Sequence, residues 1–241
     1  LEPLSAYLAM ITGPRAAAGE ARTTTLYLHF PRAAGGAVRA SLEQVIPEPE
    51  RRLVYDHAQV EGAIDSEAFA ALPEEERTGL ALIFGDFAYG FHRHVPGRAR
   101  YVATLRHPIG RIISLYRAAG KPGPSLESWV FEDRRIEADN HFVRRISGRT
   151  DVPFGACTDG MLQDAIDHIE ADFDAVLIRG SMARSAVVLG KAIEATLPPF
   201  AVVNADPSGE DSFDPPKAER KRLRQLNRLD IALFKRYADA L

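Results

Sequence analysis

The 241-residue sequence predicts an α/β protein, a mainly parallel sheet flanked by helices, with a helical C-terminal half. Three observations carry that expectation. Short apolar runs alternate with helix-like stretches through the first half of the chain. Those runs are nearly continuous rather than alternating, as in strands covered on both faces. The second half is dominated by three- and four-residue apolar spacing, with a single strand returning among the helices.

Each element has its own signal. Thr23 to Phe30 (TTTLYLHF) is rich in β-branched and aromatic residues and reads as a buried strand stopped by Pro31. Ala37 to Val45 reads as a short helix closed by Pro47 and Pro49. Arg52 to Asp56, Leu80 to Phe84 and Tyr101 to Leu105 are the next strands, and Pro108 to Ala119 is a helix with proline at its first position. Helices are then expected over Leu126 to Phe131, Ala138 to Ile146, Leu162 to Glu170 and Met182 to Ala195, with a strand at Ala175 to Ile178. Leu223, Leu226, Leu229, Leu233, Tyr237 and Leu241 form the stripe of one C-terminal amphipathic helix. Lys121 to Pro124 and Pro207 to Pro216 read as loops, and residues 1–22 as a loosely specified N-terminal segment. No linker divides the chain, so residues 1–241 are expected to form one domain.

Composition narrows the function classes. Thirty basic against thirty-three acidic residues leave a formal charge of −3, which gives no general attraction to nucleic acid or anionic membrane. One cysteine, Cys157, excludes an internal disulfide framework and a thiolate-clustered zinc site. No apolar run approaches the roughly 20 residues that span a bilayer. The lone cysteine suits a reducing compartment, and a cytoplasmic location is the expectation. No His/Cys/Asp cluster at metal-ligand spacing stands out, so no metal is expected.

Two segments carry chemistry. In Leu28 to Leu42 (LHFPRAAGGAVRASL) a strand runs through small residues into a helix. The backbone N–H groups of Arg32, Ala33, Ala34, Gly35, Gly36, Ala37 and Val38 could cradle an anion, with Arg32 adding fixed positive charge. The segment lacks the terminal Gly-Lys-Ser/Thr of a P-loop kinase and the dinucleotide G-x-G-x-x-G. In Arg100 to Arg117 (RYVATLRHPIGRIISLYR) a strand delivers Arg106 at its end, and Arg111 and Ser114 share a face of the helix that follows. A guanidinium and a hydroxyl so placed suit a phosphate.

Together and in this order, the two segments resemble the carbohydrate sulfotransferases that use 3′-phosphoadenosine 5′-phosphosulfate (PAPS). His29, Pro31, Ala34 and Gly35 agree with that family's 5′-phosphosulfate loop, and Arg32 stands where the family has lysine. Leu105, Arg106, Pro108, Arg111, Ser114 and Tyr116 agree with its 3′-phosphate motif, with His107 in place of aspartate. Gly85 to His92 (GDFAYGFH) and Asp139 to Gly148 (DNHFVRRISG) are similar to two further family elements.

The resemblance implies a P-loop nucleotide-kinase-like sulfotransferase fold and transfer of a sulfuryl group from PAPS to a hydroxyl of a carbohydrate or related acceptor. It implies that Arg32 to Val38 hold the 5′-phosphosulfate, that Arg106 and Ser114 hold the 3′-phosphate, and that Arg144 faces the cofactor or binds an acidic acceptor. Arg32 would neutralise the leaving phosphate, although arginine cannot usefully donate a proton. Asp86 stands at the family's proton-accepting histidine, and His92 and His94 are the reserve candidates. The same departures leave open a descendant that binds nucleotide or glycan without turnover.

Overall fold

The computed structural model describes residues 23–200 and 213–241. The N-terminal segment 1–22 and most of the expected Pro207 to Pro216 loop therefore lie outside the described residues. The architecture is α/β, with five parallel strands: β1 (Thr24–Leu28), β2 (Arg51–Val54), β3 (Leu82–Gly85), β4 (Ala99–Leu105) and β5 (Phe173–Ile178). Their order across the sheet is β2-β3-β1-β4-β5. Helices flank this sheet: α1 (Gly35–Leu42), α2 (Ser66–Ala71), α3 (Glu74–Arg77), α4 (Pro108–Ala118), α5 (Leu126–Phe131), α6 (His141–Ser147), α7 (Asp159–Asp172), α8 (Met182–Ala192), α9 (Lys217–Leu226) and α10 (Arg228–Ala238).

The strand order positions the site. After β1 the chain moves out to the β2 edge, returns through β3, and then crosses β1 to lay down β4 and β5. Connections thus leave β1 and β4 in opposite directions, and the crevice between their carboxyl ends is a switch point of the kind where open α/β sheets bind ligands. All four residues of β3 and six of the seven of β4 are buried, the two-sided burial that their apolar runs require. Tyr27 ties the centre together: its ring stacks on Phe84 at 4.4 Å and its hydroxyl meets the Thr104 hydroxyl at 2.6 Å.

Two features of the helices depart from expectation. The C-terminal stripe is two helices, not one, because Asn227 turns away from helical geometry and spends its side chain on the carbonyls of Ala138 and Leu223. In addition, α2 and α3, between β2 and β3, are too short and polar to announce themselves by periodicity; Asp65 starts α2 by accepting from the Ala68 N–H at 2.7 Å.

α6 and α10 cap each other. The Asn140 side-chain oxygen accepts from the Leu229 and Asp230 N–H groups at the start of α10, both at 3.1 Å. Asp230 accepts in return from Phe142 (3.1 Å) and Val143 (2.9 Å) at the start of α6. Among the described residues no helix is long and apolar enough to cross a membrane.

Candidate active site

The loop after β1 is shaped by close approach. Arg32 and Ala34 both adopt left-handed backbone (φ 68° and 75°), a conformation that costs non-glycine residues about 1 kcal/mol or more. Gly35 then starts α1 pressed against the His29 ring, where a β-carbon would collide with the imidazole. Burial, then Arg39, pushes His29 down to about 4, so its imidazole is neutral. The N–H groups of Ala37 and Val38 already bond to the Ala34 carbonyl. The Ala33 N–H is likewise taken by the Phe30 carbonyl at 3.2 Å. The expected seven-residue cradle therefore narrows to its middle, with the N–H groups of Gly35 and Gly36 as the open donors that every helix start leaves.

The loop after β4 comes to the same place. Arg106 donates to the Arg32 carbonyl at 2.9 Å, and the Arg32 Nε donates to the Ser114 hydroxyl at 3.0 Å. Arg111, 1% exposed, lies beneath, reaching the Pro31 carbonyl at 3.5 Å and the Glu137 carbonyl. Burial first, and then Arg179, Arg32, Arg111 and Arg117, lower the Arg106 guanidinium to about 10. Like charges crowded this way destabilise the protein unless an anion shares them. Arg179, the first residue after β5, is an addition that the motifs did not announce. The available signal was its position, since it follows an apolar strand as Arg106 follows β4.

On the other flank of β1, Gly85 lets β2 and β3 converge, because a β-carbon there would strike the Val54 carbonyl. Asp86 follows at once. It is 3% exposed, and one carboxylate oxygen accepts from the N–H groups of Asp56 (2.5 Å) and His57 (3.4 Å). Arg145 stands 4.0 Å from its other oxygen. Ligand atoms of Asp56, His57 and Asp86 lie within 4.8 Å of one another, within reach of a cation, but the guanidinium already supplies positive charge there. A cleft of about 570 Å³ opens alongside, lined by Tyr55, Ala58, Gln59 and the turn into α2.

Four expected roles change. Arg144 is 1% exposed and fully engaged, pairing with the Asp139 carboxylate and donating to the carbonyls of Asp139, Val152 and Pro153, so it fixes the fold and does not face an acceptor. Its neighbour Arg145 is the one that reaches Asp86. His92 is not brought to the crevice: its Nδ1 and its N–H both meet the Tyr101 hydroxyl (3.1 and 3.0 Å), against the N-terminal half of β4. His94 packs edge-on to Phe91 and its carbonyl accepts from Arg77, in the same 3-10 turn. Asp86 is where the motif put it, but as a buried anchor of the β2 loop.

No protein-family model matches the chain, and no curated protein does. Among solved structures it is similar to a sulfotransferase from Alicyclobacillus acidocaldarius, at 14% identity and a TM-score of 0.48, with 90% of this chain and 96% of that one covered. A superposition that loose carries no residue roles across.

Proposed function

We propose that the protein is a sulfotransferase that moves a sulfuryl group from PAPS to a hydroxyl of a carbohydrate-type acceptor. The single observation behind this reading is the union of the two motif loops. Arg32, Arg106 and Ser114 are hydrogen-bonded into one cationic cradle at the carboxyl ends of β1 and β4, with Arg179 beside it. A donor with phosphates on the 3′ and 5′ oxygens of one ribose calls for two linked anion seats. The Gly35 and Gly36 N–H groups with Arg32 would take the 5′-phosphosulfate, and Arg106 with Ser114 the 3′-phosphate.

In-line sulfuryl transfer asks little covalent chemistry of the protein, as with phosphoryl transfer. The helix start and Arg32 would stabilise negative charge growing on the leaving 5′-phosphate. Arg32 and Ser114 satisfy one another across the seat and would trade that bond for phosphate oxygens when the donor arrives.

Calorimetric titration with 3′-phosphoadenosine 5′-phosphate tests the reading. Arg106→Ala should weaken binding by roughly 30- to 100-fold and Ser114→Ala by about 3- to 10-fold, the ranges for charged and neutral hydrogen bonds. Unchanged affinity in both variants would refute the 3′-phosphate seat. The burial of Asp86 favours a second reading, a binder without turnover, because a carboxylate held by two N–H groups and a guanidinium makes a poor direct base. Radiolabelled transfer from PAPS to a panel of sugars separates the two.

A further inference from the structure

We propose that His57, placed by Asp86, is the group that takes the proton from the attacking hydroxyl. This inference rests on the sulfotransferase reading and adds to it a base drawn from the loop after β2.

The geometry comes from both flanks of β1. Arg106, Ser114 and Arg179 lie on its β4 side. On the opposite side the His29 N–H bonds to the Gly85 carbonyl at 2.6 Å, and His29 Nδ1 meets the Tyr55 hydroxyl at 3.1 Å. His57 follows two residues later. Its N–H is drawn in by Asp86, and a ring nitrogen lies within 4.8 Å of carboxylate oxygens of Asp86 and Asp56. Asp86 is buried and His57 is exposed, so the carboxylate is the fixed partner and the imidazole the reachable one. Asp56 is itself held by the Ser66 N–H (2.8 Å) and hydroxyl (2.9 Å), which steadies the loop.

A second observation marks the place as built for a polar group. His141 is 8% exposed, its Nε2 has no partner among the described residues, and His57, Arg111 and Arg145 are among the charges acting on it. The open cleft is lined by Tyr55 and Ala58, the residues on either side of Asp56 and His57, so an acceptor seated there would lie against the loop that carries the imidazole. In the transfer, the acceptor oxygen bonds to sulfur as the bond from sulfur to the bridging 5′-phosphate oxygen breaks. That electron pair leaves with the phosphate, and the hydroxyl proton passes to the imidazole. The imidazolium is then stabilised by Asp86 and Asp56. Facing it are these two carboxylates, His141 and Arg145 from α6, with Arg145 opposing the positive charge and the carboxylates favouring it.

The test measures sulfuryl release from labelled PAPS to a sugar panel and to water, with 3′-phosphoadenosine 5′-phosphate affinity followed in parallel. His57→Gln and His57→Ala should lower kcat by about 10²- to 10⁴-fold with nucleotide affinity changed less than about twofold, and added imidazole should restore part of the rate to His57→Ala. Asp86→Asn, a positioning change, should lower kcat without imidazole rescue while leaving acceptor KM and nucleotide affinity within about twofold of the parent. A His57→Ala enzyme within about threefold of the parent overturns the proposal, and so does a parent that binds the nucleotide but releases no sulfuryl group to any acceptor. Absence of nucleotide binding in the parent would instead overturn the donor reading.

Discussion

Arg179 and Gly35 show how much single residues decide here. Arg179 is the strongest of the like charges acting on Arg106, and both sit immediately after strands that are neighbours in the sheet. An anion that relieves Arg106 should also gain from Arg179, so Arg179→Ala is expected to weaken nucleotide binding by about tenfold in calorimetry, the worth of one charge-assisted contact. Gly35→Ala would press a methyl group into the His29 ring at the start of α1. Urea denaturation should register a loss of about 1–3 kcal/mol, the usual cost of overpacking. At this scale the site was partly legible. Arg32, Arg106 and Ser114 were readable because small residues and arginines directly follow apolar strands. His57 was not, since its role depends on where β2 ends relative to β3, and that pairing is non-local. The motif pointed to Arg144, whereas Arg145 is the one beside Asp86; adjacent positions on one helix differ by about 100° of rotation, and only packing says which one turns there.

Elements explain why the Asp-Asn motif is there at all. Asn140 and Asp230 cap each other's helices across a buried interface, so the start of the motif holds α10 against α6. Asp230→Ala would strip two buried N–H groups of their acceptor, and a loss of about 2–4 kcal/mol is expected on denaturation. Burial raises the Asp230 carboxyl from its ordinary value to about 6, although the two N–H bonds work the other way. A carboxyl raised on folding contributes stability that is full below about pH 4 and is lost as pH rises through about 6. The stability of the parent relative to Asp230→Asn, which cannot titrate, should therefore fall across that window. The opposite slope would mean that the two N–H bonds outweigh burial. Helix boundaries in this half shifted by a few residues from the sequence reading. The break at Asn227 escaped it because the apolar stripe continues through the break while the cause, a side chain bonded to Ala138, lies far away in sequence.

For the molecule as a whole, strand order matters more than any one motif. Apolar runs separated by helix-like stretches were enough to predict a parallel sheet, but periodicity is silent on the order of strands. It is the order β2-β3-β1-β4-β5 that sets the loops after β1 and β4 side by side and leaves the loops after β2 and β3 together on the other flank. The chain carries a formal charge of −3 while several guanidiniums converge on one crevice, so attraction of an anionic nucleotide is local. Nucleotide affinity should accordingly decline as salt is raised from low to physiological levels, and thermal stability should rise with nucleotide concentration, by about 2.7 kcal/mol at a hundredfold excess over Kd. A salt-independent affinity would place the nucleotide outside the arginine cluster.

The most direct measurement is a crystal structure with 3′-phosphoadenosine 5′-phosphate bound. A single nucleotide should lie across the carboxyl ends of β1 and β4, with its 5′-phosphate on the Gly35 and Gly36 N–H groups and its 3′-phosphate between Arg106 and Ser114. A nucleotide seated elsewhere, or one touching only one of the two loops, would contradict the donor site described above.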